Sequence, residues 1–258
     1  MKQLNRIVLI LLSCSGLAYA GGKEVVPLPP PPGCDWTGFY LGLKVGGAWT
    51  GDDRVFAEPL LNGRPDPMAS LRPNSVKLDP SGVIGGGEVG YNFQFCQRWV
   101  VGAEADFFGA DMSQGAITGV TLNGRQFGGL TANQDIDWFG TVRARLGYLA
   151  APKVLLYATG GFAYADIKDS ADVGSSFVSY PASSRETQTG WTAGGGVEYK
   201  IGCHWSVKAE YLYFDVGDRT LVGSEVRNLR SQEGGNFATA YRFDGTFHTV
   251  TVGLNYQF

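Results

Sequence analysis

The sequence lacks a long apolar run. Its longest unbroken aliphatic stretch is residues 7–12, far short of the ~20 residues that a membrane-crossing helix needs. Charge is also scarce, at 17% Asp, Glu, Lys and Arg against about 25% in an ordinary soluble domain. The net charge of -3 offers no basic surface for nucleic acid. Histidine is limited to two residues, His204 and His248, which leaves few candidates for general acid–base chemistry. Glycine is abundant instead, at 38 of 258 residues, roughly twice its usual share of about 7%.

Lys2 and Arg6 precede the short apolar stretch, and Ala18-Tyr19-Ala20 follows it. That order reads as a secretory signal over residues 1–20, cleaved after Ala20 with Ala18 in the recognition pattern. Leu11-Leu12-Ser13-Cys14 also resembles a lipoprotein box, although the stretch before Cys14 is short for one. Residues 21–35, with prolines 29 to 32, read as an extended periplasmic spacer. Residues 36–258 form the remaining domain.

From Trp36 onward no stretch has helical spacing, and apolar residues alternate with small or polar ones, as in strands with two different faces. Eight such segments can be laid out. Their apolar faces include Phe39, Leu41, Leu43 and Val45 in the first, and Val250, Val252, Leu254, Tyr256 and Phe258 in the last. The opposite face carries Lys44, Glu88, Glu104, Asp106, Arg143, Arg145, Glu198, Lys200, Lys208 and Glu210, interspersed with glycine. No charged residue falls on the apolar face. Connections alternate between long segments and short turns near 96–98, 149–153 and 202–204, which makes neighbours antiparallel. The expectation is an all-β, eight-stranded, antiparallel up-and-down barrel with long loops at one end.

Two such barrels are possible, a soluble one with an apolar interior and a transmembrane one with an apolar exterior. Gly47-Ala48-Trp49 matches the G-x-W triplet of a soluble lipocalin-like barrel, but the charges favour the other choice. The five bases and five acids of the polar face balance, as an internal network in a narrow lumen requires, since an unpaired buried charge is costly. Trp36, Trp49, Trp99, Trp138, Trp191 and Trp205 all fall at strand ends, where interfacial aromatic girdles sit. The chain is therefore expected in the outer membrane of a Gram-negative bacterium. Outer-membrane lipid is its solvent, both termini are periplasmic, and the four long loops are extracellular.

Trp36-Thr37-Gly38-Phe39-Tyr40-Leu41-Gly42, Trp138-Phe139-Gly140-Thr141-Val142-Arg143-Ala144-Arg145-Leu146-Gly147 and Tyr157-Ala158-Thr159-Gly160-Gly161-Phe162-Ala163-Tyr164 resemble segments of the opacity-protein-like small barrels. So do Glu210-Tyr211-Leu212-Tyr213-Phe214-Asp215 and residues 250–258. These surface antigens, often labelled porins, are similar in fold to the OmpA transmembrane domain. The resemblance implies that Val250, Val252, Leu254, Tyr256 and Phe258 form the signal read by the outer-membrane assembly machinery. No peptidoglycan-binding domain is expected after the barrel.

Few residues point to chemistry. Gly85-Gly86-Gly87-Glu88-Val89-Gly90 fits G-x-G-x-x-G, yet Tyr91 to Phe95 continue a strand where a dinucleotide site needs a helix. His204 lies in a periplasmic turn and His248 has no serine beside it, so no catalytic residue, metal or cofactor is assigned. Asp166, Asp169 and Asp172 could supply oxygens to calcium. His248, Tyr180 and Tyr241 could meet haem, which some members of the resembling family bind. Cys34, Cys96 and Cys203 map to the periplasmic edge, where one internal disulfide would leave a thiol able to link two chains. An eight-stranded interior is just filled by side chains. The expected role is structural and surface-exposed, supporting envelope integrity and external contacts, with unknown loop partners. A narrow channel for small solutes or ions, or a ligand-binding or adhesive protein, are the alternatives.

Overall fold

The computed structural model describes residues 34–51, 54–66, 71–175, 178–227 and 237–258. The expected signal with Ala18 and Ala20, Cys14, and residues 21–33 of the spacer lie outside them. Among the described residues every regular element is a strand. The barrel strands are β1 (Gly38–Trp49), β2 (Ser81–Phe95), β3 (Trp99–Leu122) and β4 (Arg125–Ala151). They continue as β5 (Val154–Gly174), β6 (Ala182–Lys200), β7 (Trp205–Asp215) and β8 (Thr246–Gln257). Each pairs antiparallel with its sequence neighbours. The ring closes where β8 pairs with β1, Leu43 facing Leu254 and Tyr40 facing Gln257.

The alternation places charge inside and apolar side chains outside. Leu43 is 74% exposed and its neighbour Lys44 only 3%. Phe39, Val83, Val101, Val142, Leu146, Phe162, Val252 and Leu254 are likewise exposed on the outer wall. Glycine makes room on the inner wall. A Cβ on Gly42 would run into the side chains of Asn255 and Glu88, and one on Gly90 would enter the Tyr40 ring.

β3, β4 and β5 run well beyond the segments legible in the sequence. Toward the long-loop end their inner residues change from charged to apolar, with Met112 and Val120 on β3, Ile136 and Leu130 on β4, and Ile167 and Val173 on β5 all buried. A register shift between Ile136 and Trp138 also changes the phase of β4, as a β-bulge does. The β3–β4 hairpin turns at Asn123-Gly124, whose φ angles of 52 and 78 suit a two-residue hairpin turn.

The described parts of the long connections are thus folded. A second sheet joins the strands Arg54–Leu61, Phe237–Phe243 and Arg219–Ser224, with short partners at Arg64–Pro65 and Ser75–Lys77. Its inner residues Val55, Ala57, Tyr241 and Phe243 pack on Val120, Leu130, Ala132, Ala171 and Val173 of the extended barrel strands. This two-layer cap holds apolar side chains within, the reverse of the barrel below it, while its outer face mixes Glu58 and Arg242 with exposed Phe56 and Val222. The Tyr241 hydroxyl donates to Tyr180 O at 2.6 Å and accepts from Val173 N–H at 2.8 Å, and burial holds its pKa above the usual phenolic range.

Candidate functional site: a lumen closed in layers

The inner wall brings Lys44, Glu88, Glu104, Asp106, Arg143, Arg145, Glu198, Lys208 and Glu210 into one buried cluster. Arg143 is its hub. Its guanidinium binds Asp106 at 2.6 Å and Glu210 at 3.1 Å, and donates to Glu104 as well. Lys44 reaches Glu210 at 2.6 Å, Glu88 at 3.1 Å and Asp106 at 3.3 Å. Lys208 bridges Glu88 at 2.6 Å and Glu104 at 2.8 Å, and Arg145 bridges Glu198 at 2.8 Å and Glu104 at 3.4 Å. Neutral donors complete the set, with Thr141 on Asp106, Tyr157 on Glu210, Tyr40 on Glu104 and Ser206 on Glu198. Sharing each carboxylate among several donors is what offsets the desolvation of so many ions. Glu88, Glu104 and Asp106 place carboxylate oxygens within 4.8 Å of one another, but Lys44 salt-bridges all three, so ammonium groups already occupy the position a cation would take.

Lys200 does not join this cluster. It sits at the short-turn end, donating to Asp35 O at 2.6 Å and to Gln257 Oε1 at 2.7 Å. Next to the cluster on the long-loop side lies an aromatic layer. Phe214 and Phe247 stack at 4.4 Å, Phe108 and Phe139 at 5.0 Å, and the Phe139 ring meets Phe214 edge-on at 5.3 Å. Ile84, Met112, Ile136 and Leu212 fill in around them. Lys44 Nζ lies 5.1 Å from the Phe108 ring centre, at the boundary of the two layers. The sequence reading missed this layer because these phenylalanines fall on the inner face, past Asp106 on β3, Arg143 on β4 and Glu210 on β7, and on β8, which carries no Asp, Glu, Lys or Arg.

Trp49, Trp99, Trp191 and Trp205 are exposed on the outer wall and Trp138 is half-buried there. Trp36 departs from the expected girdle. It is 1% exposed and packs inside the mouth against Val100, Leu149, Leu155 and Tyr157, because the chain before β1 turns inward instead of continuing up the wall. Val250, Val252 and Leu254 are exposed on the outer face of β8, with Tyr256 half-buried, and Phe258 is exposed just past its end.

The remaining candidates are dispersed. Asp166 pairs with Arg185 at 2.7 Å, Asp169 with Arg219 at 3.0 Å, and Asp172 accepts from Tyr180 N–H at 2.9 Å. Burial pushes the Asp169 carboxyl up, against the pull of Arg219. The structure does not gather them as a calcium site. His248 lies on the outer wall, stacked on Trp49 at 5.8 Å with Nδ1 2.8 Å from the Tyr211 hydroxyl, whereas Tyr241 is buried in the cap. The expected haem set is therefore not assembled. Cys34 is bonded to Cys203 and no described cysteine is free, which removes the expected spare thiol.

Residues 7–258 match the family described as outer membrane protein β-barrel domain. The chain is 36% identical over 224 residues to the 31 kDa outer-membrane immunogenic protein of Brucella melitensis, covering 86% of this chain and 84% of that one. It is 28% identical over 256 residues to the 25 kDa outer-membrane immunogenic protein of the same species, covering 94% and 100%. Among solved structures, the outer membrane protein OprG of Pseudomonas aeruginosa is similar at 15% identity and a TM-score of 0.46, covering 88% of this chain and 98% of that one. With its outer wall apolar and its charges enclosed, the chain belongs to the outer-membrane protein β-barrel family.

Proposed function

We propose that this outer-membrane barrel is a non-conducting support for its folded cap, which is the surface it offers to the outside. The aromatic layer carries the reading. Phe108, Phe139, Phe214 and Phe247 are each at most 1% exposed and lie directly against an ion-pair cluster whose side chains are almost wholly buried. A hydrated path would have to part both layers. The cap accounts for what the long connections do, and an immunogenic relative fits a protein whose cap is displayed. The short-turn end with both termini then faces the periplasm. The outer face of β8, ending at Phe258, is the segment we assign to the assembly machinery, since it also seals the ring against β1.

No catalytic role is proposed. His204 Nδ1 lies 2.9 Å from the backbone oxygen of Gln257, and His248 is held by Tyr211 and Trp49 on the outer wall. In planar bilayers the protein is expected to give no steady openings at ordinary voltages. Reproducible unitary steps would contradict the closed lumen and favour the narrow-channel alternative.

A further inference from the structure

The segment before β1 is held in the short-turn mouth by contacts from several directions. The backbone N–H of Trp36 donates to Gln94 Oε1 at 2.9 Å, and its indole N–H to Pro152 O at 3.4 Å. Lys200 Nζ lies 4.8 Å from the Trp36 ring centre while donating to Asp35 O. Gln257 Nε2 donates to Thr37 O at 2.7 Å, and Gln94 N–H donates to the Thr37 hydroxyl at 3.1 Å. The indole thereby covers Val100, Leu149 and Leu155, closing the end of the lumen opposite the aromatic layer.

The covalent hold on this stopper is the disulfide from Cys34, two residues before Trp36, to Cys203 in the turn between β6 and β7. The two ends of this link differ in access. Cys34 is half-buried beside the buried Trp36, while Cys203 and its neighbours Gly202 and His204 are exposed. A short segment docked by one side chain and a few hydrogen bonds must lose conformational entropy each time it docks, and a crosslink removes most of that loss beforehand.

We propose that Cys34–Cys203 is a redox latch, a thiol–disulfide exchange site whose reduction by a dithiol on the periplasmic side releases the Trp36 stopper. A thiolate of the dithiol attacks Sγ of exposed Cys203. The Cys34–Cys203 bond breaks, and Cys34 leaves as a thiolate that takes up a proton. The second thiol of the reductant then attacks the mixed disulfide, freeing Cys203 and closing the reductant's own disulfide. The protein disulfide gains two electrons and two protons, and the dithiol loses them. The periplasmic source of the dithiol rests on the orientation proposed above; the latch itself does not.

The test is amide hydrogen exchange read by mass spectrometry on the folded barrel in detergent, with heat-dependent gel migration as the check on folding. Dithiothreitol is the dithiol. Reduction is expected to speed exchange of residues 34–37 at least about tenfold, with β1 to β8 unchanged. Cys203→Ser is expected to reproduce the effect without reductant, separating it from reduction at Cys96. Unchanged protection of 34–37 in the reduced wild type overturns the latch, and that arm stands even if the variant fails to fold. In intact cells, a bulky maleimide excluded by the outer membrane is expected to leave reduced Cys203 unlabelled until the membrane is opened. Labelling of closed cells overturns the orientation, and with it the periplasmic dithiol, independently of the exchange result.

Discussion

Arg143→Ala is expected to lower the unfolding free energy by about 3–5 kcal/mol, the range for removing one partner of a buried ion pair. The size follows from what the guanidinium leaves behind. Asp106, Glu104 and Glu210 all take hydrogen bonds from it, and none has water at hand to replace it, because each is at most 4% exposed. The cluster already holds four bases (Lys44, Arg143, Arg145, Lys208) against five acids (Glu88, Glu104, Asp106, Glu198, Glu210), so a further lost cation leaves it more unbalanced. Urea unfolding in lipid vesicles, followed by tryptophan fluorescence, measures the loss. Arg143→Ala combined with Asp106→Asn is expected to recover part of it, since one of the stranded carboxylates is neutralised. A loss under about 1 kcal/mol, the level of a solvated surface pair, would mean the cluster is wet.

Leu43→Arg is expected to cost about 2–4 kcal/mol, the range for arginine at the bilayer midplane on a barrel's lipid face. Leu43 lies midway along β1, opposite Leu254 on β8 and Gly87 on β2, with its side chain outward. The next residue, Lys44, carries a native charge on the same strand, yet its ammonium ends among four carboxylates. Two adjacent positions therefore have opposite rules for charge, and the same vesicle unfolding assay reads both. A neutral outcome at Leu43 would place that side chain in water.

Eight strands, their phase and the inward direction of charge were legible because period-two alternation survives wherever lipid faces one side and ions the other. Trp36 was not. It lies at a strand end like the other tryptophans, and only the inward turn of its segment, with the Cys34–Cys203 link, distinguishes it. Lys200 has the same phase as Glu198 but lies one row nearer the mouth, where Asp35 and Gln257 are its partners. The cap stayed hidden for a different reason. Above the barrel both faces change character, so a search for one charge-free face stops at Phe107 and Tyr164, although β3 and β5 continue. Asn62-Gly63 and Asn123-Gly124, both at positive φ, are hairpin signals in the sequence itself and would have marked two of the cap's turns.

The sidedness of the wall is tested most directly by nitroxide labels placed singly at residues 250 to 254 of β8 in lipid vesicles. Collision with oxygen, which concentrates in the hydrocarbon, is compared with collision with a water-soluble nickel complex. Oxygen collisions are predicted to be high at 250, 252 and 254, and collisions with either reagent to be low at 251 and 253. Free access of nickel at Thr251, with Val252 shielded from oxygen, would contradict the account.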